Sequence, residues 1–198
     1  MEGIYCVIDR SGSMASCLDD TIGGFNTFLK EQPPESLMTI FLFDNEVQEM
    51  CRCRQVSKVE PLTPSTYRPR GGTALLDAIG HAMKVASNCV TDNVTIVILT
   101  DGDENSSRNY TQKSIKDFVD IRRREGWKFI FLAANQDAIL AAGELGIPEH
   151  SSLTFNTDNI KDVFRCASNA IQRTRTGETQ EVEFSQVERA ASCPMTRP

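Results

Sequence analysis

Ile4-Tyr5-Cys6-Val7-Ile8-Asp9-Arg10-Ser11-Gly12-Ser13 reads as a strand that runs straight into a polar loop. Ile4 to Ile8 is apolar without interruption and rich in β-branched residues, so neither face of the strand expects solvent. That is the pattern of a central parallel strand covered on both sides. The run ends at an acid. Asp9, Ser11 and Ser13 then follow at alternate positions, which lets one short loop turn a carboxylate and two hydroxyls toward one point. Gly12 relieves the backbone between them.

Working outward, Val94 to Leu99 repeats the buried-strand pattern and ends at Thr100-Asp101-Gly102. Leu37 to Phe43 is another strand, and Asp44-Asn45 turns it back into Glu46 to Cys53 as a hairpin. Trp127 to Ala134 and Ser152 to Phe155 complete the strands. The intervening segments have helical periodicity: Asp19 to Glu31, Thr73 to Ser87, Thr111 to Glu125, Gln136 to Leu145 and Asn159 to Arg173. Alternating units of this kind predict an α/β fold in three layers, Rossmann-like, with a mostly parallel sheet between helices and one antiparallel edge strand. Residues 1–174 are expected to form the domain. Residues 175–198 are polar and read as a C-terminal arm or tail with little core-forming surface, in which Ser185 and Glu188 suit the capping box of one short helix.

The bulk numbers exclude several functions. The chain has 198 residues, 40 % of them hydrophobic, which suits one domain with a real core. Its net charge of -6 argues against non-specific nucleic-acid or anionic-membrane binding, which need a cationic footprint. The opening apolar run stops at Ile8, too short for a signal peptide or a membrane span, so a cytoplasmic protein is expected. Seven cysteines without an export signal then predict free thiols, most of them small core residues.

In open α/β sheets ligands gather outside the carboxyl ends of the strands. Asp9-Arg10-Ser11-Gly12-Ser13 and Asp101-Gly102-Asp103 fall at such ends, and Thr73 opens a helix behind Gly71-Gly72. All offer hard oxygen donors, which suit Mg²⁺. This three-part set, in this order, resembles the metal-ion-dependent adhesion site of von Willebrand factor A domains, and the resemblance covers residues 1 to about 173. It implies a six-stranded sheet of order 3-2-1-4-5-6 and one divalent cation, Mg²⁺ or else Mn²⁺ or Ca²⁺. Ser11 and Ser13 would ligate directly, Thr73 directly once a partner is bound, and Asp9 and Asp101 mainly through water. The implied partner is a protein that gives an Asp or Glu to the metal, such as an ATPase or another subunit of a complex. The chain is also similar to small stand-alone intracellular members from bacteria and their viruses.

Other residues invite plainer readings. Asp103 and Glu104 suit the acidic first turn of a helix or a solvated loop, and Asn105, Ser106 and Ser107 suit helix caps. Asp77 and His81, one turn apart, suit an exposed helix-surface contact. Cys51 and Cys53 are expected on one side of a strand, without zinc-site spacing. Trp127, Phe129 and Phe131 read as core, and Arg122-Arg123-Arg124 as a solvated helix face. A Mg²⁺-dependent phosphohydrolase of the haloacid dehalogenase type is the alternative, but its Asp-x-Asp is here Asp9-Arg10-Ser11. With two histidines and no nucleophile arrangement, a non-enzymatic binding module is expected.

Overall fold

The computed structural model describes residues 1–134 and 138–193. In chain order the elements are β1 (Glu2–Asp9), α1 (Leu18–Glu31), β2 (Leu37–Phe43), β3 (Val47–Gln55), α2 (Leu75–Ser87), β4 (Asn93–Thr100), α3 (Gln112–Arg124), β5 (Lys128–Ala134), α4 (Ala138–Glu144), β6 (Ser152–Phe155), α5 (Ile160–Arg175) and α6 (Gln186–Ser192). The sheet order is β3-β2-β1-β4-β5-β6, parallel except for the β2–β3 hairpin. The expected start of the fourth helix at Gln136 and the end of the tail at Pro198 lie outside the described residues.

Successive strand side chains face opposite ways, so β1 divides the core in two. Ile4, Cys6 and Ile8 meet Phe25 and Phe28 of α1 and Phe164 of α5. Tyr5 and Val7 meet Ile79 and Met83 of α2, Ile115 of α3 and Ala142 of α4. β1 and β4 are buried along nearly their whole length, which is why both read as unbroken apolar runs. Their carboxyl ends, Asp9 and Thr100, open at one rim of the sheet. Among the described residues no helix is long and apolar enough to cross a membrane.

Three expectations need correction. Not all thiols are free: Cys53 is disulfide-bonded to Cys89, which the fold brings beside β3 from the end of α2. Nor do Cys51 and Cys53 share a side. Cys51 packs toward α1 and α5, whereas Cys53 turns toward α2. The β2–β3 register shifts near Ile40, and Cys53 has a left-handed backbone (φ 42°) that breaks the alternation.

The tail, third, does carry core-forming surface. Val182 and Phe184 are buried with the α1–α5 layer, and α6 begins with the expected Ser185–Glu188 capping box. Arg173 holds Glu188 at 2.8 Å, and Arg189 and Ser192 donate to backbone carbonyls of Ser152 and Thr154 in β6. The segment thereby covers carbonyls at the edge of the sheet.

Candidate functional site

The five residues singled out in the sequence converge at the carboxyl ends of β1 and β4. Asp9 is fully buried. Its Oδ1 accepts the Ser11 N–H at 2.6 Å and its Oδ2 the Thr100 hydroxyl at 2.6 Å. The Ser11 and Ser13 hydroxyls lie 3.0 Å apart, and Ser13 donates to Asp101 Oδ1 at 2.6 Å. Thr73 joins them beside Gly102: a methyl group on that glycine would lie 3.1 Å from Thr73 Oγ1 and 3.6 Å from Ser13 Oγ. The site is therefore two carboxylates and three hydroxyls around one small space. Among the described residues no group of three His, Cys, Asp or Glu side chains forms a cluster of metal ligands.

Thr73 is not helical, as expected, but sits in the loop before α2, because the β4–α3 loop claims its backbone. Its N–H donates to Asn105 Oδ1 at 2.9 Å, and its carbonyl accepts from Asn105 N and Ser106 N. The same loop caps α2. Glu104 Oε2 accepts the Leu76 N–H and Ser107 Oγ the Asp77 N–H. Of the capping roles expected of Asn105, Ser106 and Ser107, only that of Ser107 holds, since Asn105 and Ser106 bond the loop residues Thr73 and Asn45, and Glu104 serves a helix far from it in sequence. Asp77 is not an exposed surface contact: it is buried and accepts the N–H groups of Arg108, Asn109 and Tyr110. Burial pushes its carboxyl up, but these bonds outweigh it and hold the pKa below the usual range. His81 instead stands edge-on to Phe41 at 5.3 Å.

Electrostatically the site is unfinished. Burial pushes the Asp9 carboxyl up to about 6, against hydrogen bonds from Thr100 and Ser11, and the negative charge of Asp101 adds to the rise. Burial raises Asp101 too, opposed by the Ser13 hydroxyl. Neither carboxylate is in an ion pair among the described residues. The Thr73 hydroxyl, on a residue 3 % exposed, has no hydrogen-bond partner among them. A buried acid, a half-buried acid and three hydroxyls facing one space are what a bound hard cation would satisfy, so the residues present fit such an ion.

Sequence reading missed the scaffold beneath. Arg10 is buried and donates from Nε to Asp44 Oδ2 at 2.9 Å, and Arg70 Nε reaches the same oxygen at 2.8 Å. Backbone bonds bind these loops together: Gly12 N to Gly71 O, Arg70 N to Arg10 O, and Ala74 N to Asp44 O. Tyr67 donates its hydroxyl to the Asp9 carbonyl at 2.5 Å. Gly71 has φ 66° with the Asn45 side chain pressed against it, so a Cβ there is excluded twice over. One signal was available: Asp44 directly follows the apolar run of β2, as Asp9 closes that of β1, and Phe43 pairs with Asp9.

A family model, the von Willebrand factor type A domain, matches residues 4–104, just over half of the chain and all five site residues. No curated protein matches. Among solved structures, the vWF domain of the type V pili tip protein Mfa5 from Porphyromonas gingivalis is similar at 11 % identity and TM-score 0.65, over 86 % of this chain and 95 % of that one. Proximal thread matrix protein 1 from the mussel byssus is similar at 14 % identity and TM-score 0.63, over 83 % of this chain. This chain spans only 44 % of that protein's length. The mussel protein has also been solved with zinc in its MIDAS motif (15 % identity, TM-score 0.58, 84 % of this chain and 46 % of that one). At such identities the structures speak for the fold alone, but with the family model and the sheet order the chain belongs to the von Willebrand factor type A domain family.

Proposed function

We propose that this domain binds a divalent cation, Mg²⁺ in the first instance, at Asp9, Ser11, Ser13, Thr73 and Asp101, and uses it to hold a protein partner rather than to catalyse. The observation that carries this reading is a buried carboxylate, Asp9, and a half-buried one, Asp101, linked by serine hydroxyls and without an ion pair among the described residues. When bound, the ion would supply a Lewis-acidic position that prefers a hard anionic oxygen such as a partner's Asp or Glu. The chain's own residues do the rest. Ser11, Ser13 and Thr73 present neutral oxygens, which leave the ion's charge largely uncancelled. Asp9 fixes the Ser11 backbone and Thr100, and Asp101 orients Ser13. The histidines support holding over catalysis, since His81 is against Phe41 and His150 against Glu181. We propose a role as an adaptor or subunit of a complex; of the compartments, the cytoplasm expected from the sequence is opposed by the Cys53–Cys89 disulfide.

Calorimetry with Mg²⁺ or Mn²⁺ should show a single site that is absent in Asp9→Ala. Capture of a partner from the native source should then be lost with chelator and restored by Mg²⁺. Equal heats for wild type and variant would end the proposal.

A further inference from the structure

The loop Arg68-Pro69-Arg70-Gly71-Gly72 lies against the candidate metal loops, with Arg70 N bonded to Arg10 O at 2.8 Å and Gly12 N to Gly71 O at 3.1 Å. The Arg70 side chain is tied at one atom. Its Nε donates to Asp44, while the terminal nitrogens have no partner among the described residues and the side chain is 61 % exposed. Asp44 is shared with Arg10, so two guanidinium groups divide one carboxylate, and Glu46 is the other acid that acts on Arg70. An arginine anchored at Nε and open at its fork is preorganised for a carboxylate.

A polar cleft of about 560 Å³ lies on the same side, with Asn45, Glu46, Lys84, Arg108 and Tyr110 in its walls. Asn45 is also part of the metal rim, for its Oδ1 accepts the N–H of Gly72, next to Thr73. The Lys84 and Arg108 side chains are exposed and have no hydrogen bond or ion pair among the described residues. Asp77 and Glu46 balance Lys84 and Arg108 in formal charge, but the Asp77 oxygens are all engaged by N–H donors of the fold, so the two cations remain open to a ligand. The other side of the rim has the opposite sign: Gly102 opens there onto a groove bearing Asp103, Glu104 and Glu144.

We propose that Arg70, backed by Lys84 and Arg108, is a second anion-binding point on the partner face. The partner is then an acidic protein segment with two carboxylates, one for the metal loops and one for Arg70. This rests on the metal-dependent reading above and adds the partner's chemistry and direction. Arg70 and Thr73 are three residues apart, so their Cα atoms are at most ~11 Å apart. An extended segment rises ~3.3 Å per residue, which puts the second acid about two to four residues from the first. The sidedness of the charge turns it toward Asn45 and away from Asp103.

Short fluorescent alanine-based peptides with one Glu, or with a second Glu at increasing spacing, would be titrated onto the full chain with Mg²⁺ or with EDTA. The doubly acidic peptide of best spacing should bind about two- to fivefold tighter in Mg²⁺ than the singly acidic one, as expected for one exposed charge-assisted contact. That gain should vanish in Arg70→Gln and shrink in Lys84→Gln/Arg108→Gln. The second variant keeps the test valid if Arg70→Gln melts early, because its two side chains bond nothing in the fold. Mg²⁺-dependent binding that ignores the second Glu overturns this inference and leaves the metal reading standing. Absence of Mg²⁺-dependent binding to any peptide overturns both.

Discussion

Asp9 ends β1 and Asp44 follows directly on the neighbouring β2, and both are buried, at 0 % and 2 % exposure. Asp44 is met by two guanidinium groups and the N–H of Glu46. Burial pushes its carboxyl up, but Arg70, Glu46 N and Arg10 outweigh this and hold it below the usual range. Asp9 is met only by an N–H and a hydroxyl, with Asp101 nearby, and rises to about 6. The same residue type in the same rim is thus a finished ion cluster in one place and an uncompensated charge in the other. Countercharge built into the chain makes a rivet, whereas countercharge left out makes room for an ion.

The hardest way to break this contrast is to remove the rivet. Asp44→Ala leaves the buried Arg10 guanidinium without its carboxylate and should cost about 3–5 kcal/mol, the range for a severed buried pair. Urea unfolding should give that loss equally with and without Mg²⁺. A loss that Mg²⁺ repairs would mean that Asp44 belongs to the metal site. Phe184→Ala supplies a scale free of charge effects. It empties a buried aromatic position in the C-terminal segment and should cost about 3 kcal/mol, also independent of Mg²⁺. An unchanged melt would return residues 178–193 to the status of an arm.

Asp9→Asn should behave in the opposite sense. It removes a buried uncompensated charge, and the Thr100 hydroxyl can keep donating to the Gly102 carbonyl while it accepts from the new amide. The metal-free variant should therefore be as stable as wild type or more so. What disappears is the gain from Mg²⁺, about 2.7 kcal/mol for wild type at a hundredfold excess over Kd. A metal-free Asp9→Asn that fails to fold would show Asp9 to be a second rivet.

How far this contrast was legible in the sequence follows from the range over which each feature acts. The β1 and β4 runs declared themselves because a strand buried on both faces has no polar alternation to hide behind. Asp9, Ser11 and Ser13 stood out through local spacing, but it was resemblance to a family, not periodicity, that linked them to Thr73 and Asp101 and supplied the strand order. Arg10–Asp44 and Glu104–Leu76 were unreadable, since each joins residues roughly thirty apart whose meeting depends on the finished sheet. Cys53–Cys89 is hidden for the same reason. The C-terminal segment was misread although Glu181-Val182-Glu183-Phe184 alternates acid and apolar residues, a sign of one buried face.

The smallest effect separates the two acids by pH. The folded pKa of Asp9, about 6, lies above its ordinary value of 3.8. Between those values the folded state holds a proton that the unfolded chain has lost, so the metal-free domain should lose stability as pH rises through this window and change no further above it. Asp44 runs the other way. Its contribution is present above its ordinary pKa and fades only as pH falls through its lower folded pKa, so it is silent between pH 5 and 7. A cation needs Asp9 ionised, and in that interval protons compete with it directly. Mg²⁺ affinity should therefore climb from pH 5 and level off near 7, with a total change of about tenfold for one proton displaced near pH 6. Calorimetric titrations across that range test it. An affinity flat from pH 5 to 7 would mean that Asp9 is already ionised without the ion, and the difference between the two strand ends would then reside in geometry rather than in charge.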